Sequence, residues 1–251
     1  MVFVFYLFWV CYPVVMKSES QYIDVPLDND ALKITVSRDG YWFGNEVVAL
    51  VDFLKDRKWQ RCVDLGCGDG VIALLVAKRN LAEEVWAIDI DSDHCQRTEM
   101  NVKSNQLAGK VSVINKNLRS LQGVLKKGTF DLLTANPPFF KLKQDHQDLS
   151  LAERKGRQEV SGDLKVFLQA AEYLGKKRSD LYLVYHPSRL DYLFTELNKT
   201  SFKCKHIQAL HHQDGRALFV LCHCIKSGGP GVTMLPPVTM GKSLKHQRRS
   251  S

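Results

Sequence analysis

The chain has 251 residues, 45% of them hydrophobic and 25% charged, with a net charge of +8. That balance excludes a disordered or collagen-like chain and allows one large α/β domain with small additions. Four of the positive charges, Lys242, Lys245, Arg248 and Arg249, fall in the last ten residues with no acid among them; residues 241–251 therefore read as a basic, disordered tail, and the rest of the chain carries only a modest basic bias, compatible with a nucleic-acid partner.

Residues 1–16 are almost wholly apolar and uncharged. The run is shorter than the ~20 residues of a membrane span. It lacks the basic start of a signal peptide, and Pro13 would interrupt a helix. A weak membrane anchor, a buried arm and an upstream extension with the working start at Met16 all fit. The extension is favoured, with residues 17–240 as the domain and no membrane contact expected. The seven cysteines, Cys11, Cys62, Cys67, Cys95, Cys204, Cys222 and Cys224, are odd in number and form no Cys-x-x-Cys. They point to a reducing, cytoplasmic setting without a disulfide framework. No metal is expected: Cys222-His223-Cys224 reads as a half-buried strand, in which the histidine points away from both thiols.

Ala31 to Val36 alternates as a strand, and Ser37-Arg38-Asp39-Gly40 turns the chain. Asn45 to Asp56 carries a helical stripe of Val47, Val48, Leu50, Val51 and Leu54. Arg61 to Leu65 is a strand, Gly66 to Gly70 a turn and Val71 to Asn80 a helix. Glu84 to Asp89 is the next strand, followed by a helix from Ser92 to Asn105 with Ser92 or Asp93 as its N-cap. Lys110 to Asn115 and Phe130 to Ala135 are further strands. Lys141 to Glu159 is polar, mixed in charge and without a period, the kind of long connection that often carries function. Ser161 to Lys177 is a helix, Leu181 to Tyr185 a strand and Ser188 to Asn198 a helix. Phe202 to Leu210 and Ala217 to Ile225 form a closing antiparallel pair, after which the chain is Gly/Pro-rich and then basic.

Alternating strands and helices predict a mostly parallel sheet with helices on both faces, and the closing pair adds an antiparallel edge. Ligands of such sheets bind beyond the C-terminal strand ends, near the switch in strand order. Gly66 to Gly70, Asp89 and Asn136 all stand at such ends. The loop Asp64-Leu65-Gly66-Cys67-Gly68-Asp69-Gly70 lets the backbone approach a ligand. Asp89 is placed to accept hydrogen bonds from both hydroxyls of a ribose. A dinucleotide site shares this plan. The Gly-x-Gly-x-Gly spacing and the charges of Asp64 and Asp69 favour S-adenosylmethionine instead, because they would repel a pyrophosphate but tolerate a sulfonium and an ammonium. Asn117, after the third strand, can accept from an adenine amino group or simply cap the loop, and Leu118 can pack on the ring. Asn136-Pro137-Pro138-Phe139 suits a planar amino group. The Asn136 side-chain oxygen and the Pro137 carbonyl accept its two protons, the prolines fix φ, and Phe139 offers a flat face.

With these motifs the chain resembles class I S-adenosylmethionine-dependent methyltransferases, and more narrowly the tRNA1(Val) (adenine-37-N6)-methyltransferase-like family, over roughly Asp30 to Val238. Gly40-Tyr41-Trp42-Phe43-Gly44, the glycine loop, Ala87-Ile88-Asp89-Ile90-Asp91 and Asn136 to Lys141 carry the resemblance. Arg157-Gln158-Glu159, Val184 to Leu190, Gly228 to Val232 and Pro236-Pro237 support the narrower match. The resemblance implies a Rossmann-like, mostly parallel seven-stranded sheet with an antiparallel edge pair and helices on both faces. It implies S-adenosylmethionine as cofactor, held by Asp64, Gly66, Cys67, Gly68, Gly70, Asp89, Ile90, Asn117, Leu118 and Asn136. Catalysis would fall to Asn136, Pro137, Pro138 and Phe139. The implied activity is N6-methylation of adenine in tRNA, with RNA rather than DNA as partner. Asp89 stands where relatives often have Glu, Asn117 where Asp is usual, Gln158 where His is common and Phe139 where Tyr is frequent. A protein glutamine N5-methyltransferase, an rRNA guanine N2-methyltransferase and a non-catalytic RNA-binding relative are the competing readings.

Overall fold

The computed structural model describes residues 22–28, 31–37, 43–138 and 164–240. Residues 1–16, Phe139, the Lys141–Glu159 connection and the basic tail lie outside them.

Strands β1 (Tyr22–Leu27) and β2 (Leu32–Ser37) pair as a separate antiparallel hairpin. Alternation puts Val25, Leu27, Leu32, Ile34 and Val36 on one buried face. Helix α1 (Asn45–Phe53) leads to β3 (Trp59–Leu65), α2 (Val71–Lys78), β4 (Ala82–Asp89), α3 (Ser92–Ser104) and β5 (Val111–Asn115). Then follow β6 (Phe130–Ala135), α4 (Leu164–Leu174), β7 (Gly175–Tyr185), α5 (Leu190–Leu197), β8 (Phe202–His211), β9 (Ala217–Lys226) and β10 (Thr233–Thr239). Every residue of α2 from Val71 to Ala77 is buried, as an apolar helix without a polar face must be.

The main sheet has eight strands in the order β10-β8-β9-β7-β6-β3-β4-β5. All neighbours run parallel except β7–β9 and β8–β9, so β9 alone is reversed. From β3 the chain moves outward through β4 to β5, then returns to the other side of β3 with β6 and moves outward to β7. Right-handed crossovers in opposite directions put α2 and α3 on one face and α4 on the other. The strand order switches between β3 and β6, and a crevice opens there beyond their C-terminal ends.

Three details differ from the sequence expectations. The sheet has eight strands rather than seven, because β10 pairs with β8 and leaves the antiparallel pair in the interior. Pro236 and Pro237 concealed it. They fall where the register slips between Leu235 and Val238, on an edge strand, so their missing N–H groups break no ladder. Second, β7 begins at Gly175, where a helix was expected to continue through Lys177. Phe130 pairs with Gly175 but Leu132 with Asp180, so Lys176, Lys177 and Arg178 bulge outward and Arg178 takes φ 68°. Third, the N-cap of α3 is Asp91, whose side chain accepts from the amides of Asp93 and His94, one residue before Ser92 and two before Asp93, the two expected caps.

Strand β9 is buried on both faces. Cys222 and Cys224 lie on one and His223 on the other. His223 Nε2 sits 2.7 Å from Asp180 Oδ1, and Asp180 Oδ2 accepts from Trp59 Nε1 at 2.9 Å and pairs with Arg57. The six described cysteines are free thiols. Among the described residues no helix is long and apolar enough to cross a membrane.

Candidate active site

The site is assembled from the turns that follow β3, β4 and β6. After β3 the amides of Gly66 and Cys67 both donate to the Ile88 carbonyl, at 2.8 and 2.9 Å, tying the loop to the end of β4. Gly66 has φ 69°, and a Cβ there would lie 2.8 Å from the Phe167 ring. Gly70 has φ 84° and caps α2, where a Cβ would lie 2.6 Å from Thr98 Cγ2. Both positions are left-handed and close-packed, so only glycine fits. Helix α3 clamps the loop from below. Thr98 Oγ1 donates to the Gly68 carbonyl at 2.8 Å and Asn101 Nδ2 to the Asp69 carbonyl at 2.9 Å.

The acids of the loop divide by environment. Asp69 is buried and accepts from Arg97 Nε at 2.7 Å and His94 Nδ1 at 2.8 Å. The hydrogen bond to Asp69 holds the His94 pKa above its ordinary value against the opposing effect of burial. Arg97 offsets the charge that Asp69 was expected to add to the loop. Asp64 lies within β3 and is 1% exposed. Its Oδ1 accepts from the Thr134 hydroxyl at 2.8 Å, while Oδ2 has no hydrogen-bond partner among the described residues. Burial pushes its pKa up to about 7, against the Thr134 hydrogen bond.

Asp89 ends β4 with its carboxylate fixed by two amides, Gly68 N at 2.8 Å and Asp91 N at 3.0 Å. A carboxylate has about four acceptor sites, so half remain for a ligand. Asn117 caps a short 3-10 turn by accepting from Arg119 N at 2.9 Å, which leaves its oxygen one further lone pair. Asn136 follows β6. Its Oδ1 is buried without a hydrogen-bond partner among the described residues.

These turns surround a cavity of about 300 Å³, at the lower end of small-molecule sites. Gly66, Asp89 and Ile90 line one side, Asn117 and Leu118 another, and Asn136 and Pro138 a third. Seven residues expected at the site are thus brought together. Asp64, Cys67, Gly68, Gly70 and Pro137 do not line the cavity. They are buried or held in the backbone turns that shape it, and Cys67 lies 8% exposed against Thr98. Val166 and Phe167 of α4 close the cavity, and His94 and Asp91 add a polar edge. The sequence places Phe167 within the Ser161 to Lys177 helix, without a site role, and has no signal for His94. Among the described residues no group of three or more His, Cys, Asp or Glu could hold a metal ion.

A family model described as methyltransferase small domain matches residues 41–185, more than half of the chain. The chain belongs to that family. As a methyltransferase small domain it is similar to the tRNA1(Val) (adenine(37)-N6)-methyltransferase of Parabacteroides distasonis, with 34% identity over 97 residues. That match covers 39% of this chain and 40% of the relative, so the chain spans less than half the length of the curated protein it matches. In fold it is similar to a predicted O-methyltransferase from Agrobacterium tumefaciens, with TM-score 0.61, 17% identity and coverage of 78% of this chain and 89% of the other. It also resembles TYW2 of M. jannaschii in complex with AdoMet, with TM-score 0.57, 12% identity and coverage of 84% and 88%. The methyltransferase small domain here therefore has the Rossmann-like architecture expected from its motifs.

Proposed function

We propose that the protein is an S-adenosylmethionine-dependent N-methyltransferase that acts on the exocyclic amino group of adenine in tRNA. The observation that carries this reading is the Asn136 carboxamide oxygen, a buried acceptor without a partner among the described residues, at the cavity that Asp89 also lines. An unpaired buried acceptor costs roughly 1–3 kcal/mol, and a planar amino group on the substrate would remove that cost.

The residues fit the donor. Asp64 Oδ2 is a second unpaired buried acceptor, and a cation nearby would return its carboxyl to the ionised form. Gly66, close-packed against Phe167, lines the cavity with backbone alone. Asp89 keeps free lone pairs for ribose hydroxyls. Bound S-adenosylmethionine supplies a methyl group on an electrophilic sulfonium. The protein's part is to orient the acceptor: Asn136 Oδ1 and the Pro137 carbonyl take the two amino protons and leave the nitrogen lone pair free to be aimed. Holding such near-attack geometry is worth about 7–11 kcal/mol, so no strong base is needed before transfer, and the proton leaves afterwards. The name of the Parabacteroides relative and the basic bias of the chain support tRNA adenine as the acceptor.

Incubation with labelled donor and separate tRNA, rRNA and release-factor pools tests the proposal. N6-methyladenosine in digested tRNA is the expected product. Label on guanine N2 or on a protein glutamine would replace the acceptor, and label in none of the pools by protein that binds the donor would refute catalysis.

A further inference from the structure

We infer that a second cavity, beside the donor cavity, is a nucleotide subsite for the RNA substrate and holds a base and phosphate near the methylated adenine. The inference rests on the proposed action on tRNA. The cavity has a volume of about 370 Å³, within the range of small-molecule sites. One wall is formed by Val166, Gln169, Ala170 and Tyr173 of α4, whose spacing puts all four on one helix face. The other wall is the chain that follows β5, from Leu118 to Gln122. Leu118, Arg119 and Val166 line both cavities, so the two adjoin.

Charge separates their ligands. Asp89 and Asp91 edge the donor cavity, which suits a sulfonium and an ammonium. Among the described residues no acid lines the second cavity, and Arg119 stands at the junction. The connection from β5 to β6, residues 116–129, carries Lys116, Arg119, Lys126 and Lys127 and no acid. With the four cations of the C-terminal tail, these account for the whole net charge of +8. Lys126 and Lys127 are exposed, and the chain on either side of them is tied to Tyr173 in the cavity wall. The Tyr173 hydroxyl donates to the Leu125 carbonyl at 3.1 Å, and the Gly128 amide donates to the Tyr173 carbonyl at 3.0 Å. Two lysines are thereby fixed at the rim. Within the cavity Tyr173 supplies an aromatic ring, and the exposed carboxamides of Gln122 and Gln169 can each donate and accept at a base edge. Cations for a phosphate beside a ring and carboxamides for a base are the chemistry of single-stranded nucleic-acid recognition.

The test is binding of labelled tRNA to the full chain, with S-adenosylhomocysteine present, at a series of salt concentrations. On a single strand each neutralised phosphate contributes about 0.7 to the slope of log K against log salt. Lys126→Ala combined with Lys127→Ala should lower that slope by about 0.7 or more. Lys78→Ala combined with Lys103→Ala, which removes exposed lysines from α2 and α3 on the other face of the sheet, should leave it unchanged. Gln169→Glu puts an anion into the cavity and should raise KM for tRNA roughly tenfold, the scale of one lost base contact. Its donor affinity, read by calorimetry, should stay within about threefold, because Gln169 does not line the donor cavity. A parent-like slope in the Lys126 and Lys127 variant, a parent-like KM in Gln169→Glu, or an equal fall in slope in the Lys78 and Lys103 variant would each overturn the inference. A parent protein that neither binds nor methylates tRNA would instead overturn the proposed function on which it rests.

Discussion

Asp64 is buried at a cost to folding stability that the proposed donor-binding role would offset. Burial raises its pKa from 3.8 to about 7. Between those values the native state holds the proton that the unfolded chain has released, so stability falls as pH rises through the window and levels off above it. Asp64→Asn keeps the shape and an acceptor for Thr134 and removes the buried charge. Thermal melts without donor should therefore show the variant more stable than the parent at pH 8, with the gap closing by pH 4. Isothermal titration should show weaker donor binding in the same variant. A parent-like melting temperature at pH 8 would contradict the buried charge. Asp89→Ala should also weaken donor binding, and because it frees the Gly68 and Asp91 amides it should cost about 1 kcal/mol of stability as well. Unchanged donor affinity in that variant would remove the ribose assignment. Asp89 and Asn136 were legible in the sequence because each is a polar residue closing an apolar strand. The capping role of Asn117 was one of its two readings in the sequence, whereas the engagement of Asp69 was not legible, since Arg97, which claims it, carries no motif.

At the scale of elements, α3 does more than cover the sheet. Asn101 accepts from Thr35 N at 2.7 Å and donates to Thr35 O at 3.1 Å, and four residues on Asn105 does the same to Lys33, at 2.9 and 2.7 Å. The i, i+4 spacing puts both carboxamides on one helix face, where they pair with alternate residues of β2 as a neighbouring strand would. Asn101 also holds the Asp69 carbonyl of the glycine loop, so one fully buried side chain joins the hairpin to the donor loop. Asn101→Ala should cost about 2–3 kcal/mol in urea unfolding, from the buried groups left unpaired, and should speed hydrogen exchange at Thr35. Normal protection there would show that the hairpin is held by its apolar face alone. Helices and interior strands were legible from their periodicity. Strand β10 was not, because two prolines suppress the strand pattern while the edge of a sheet tolerates them.

Across the whole molecule, Asp180 joins β7 to β3 through Trp59, to β9 through His223 and to Arg57. Burial pushes its carboxyl upward, but hydrogen bonds from His223 and Trp59 and the Arg57 charge bring it below the usual range. Its stabilisation is therefore present above the ordinary Asp pKa and is lost as pH falls through the lowered value. Asp180→Ala should destabilise the protein by about 3 kcal/mol near pH 7, the scale for breaking a buried pair, with a smaller difference below pH 3. A constant difference across that range would assign the loss to packing instead. The sequence by itself determined the strand-helix alternation, the glycine loop and the polar residues that close the strands, since these follow from local periodicity and backbone freedom. Only the tertiary structure decided which polar atoms are already satisfied and which are left open for a ligand. That depends on partners far apart in the chain, such as Thr134 with Asp64 and Arg97 with Asp69, and hydrogen-bond saturation is a property of the packed neighbourhood rather than of any one segment.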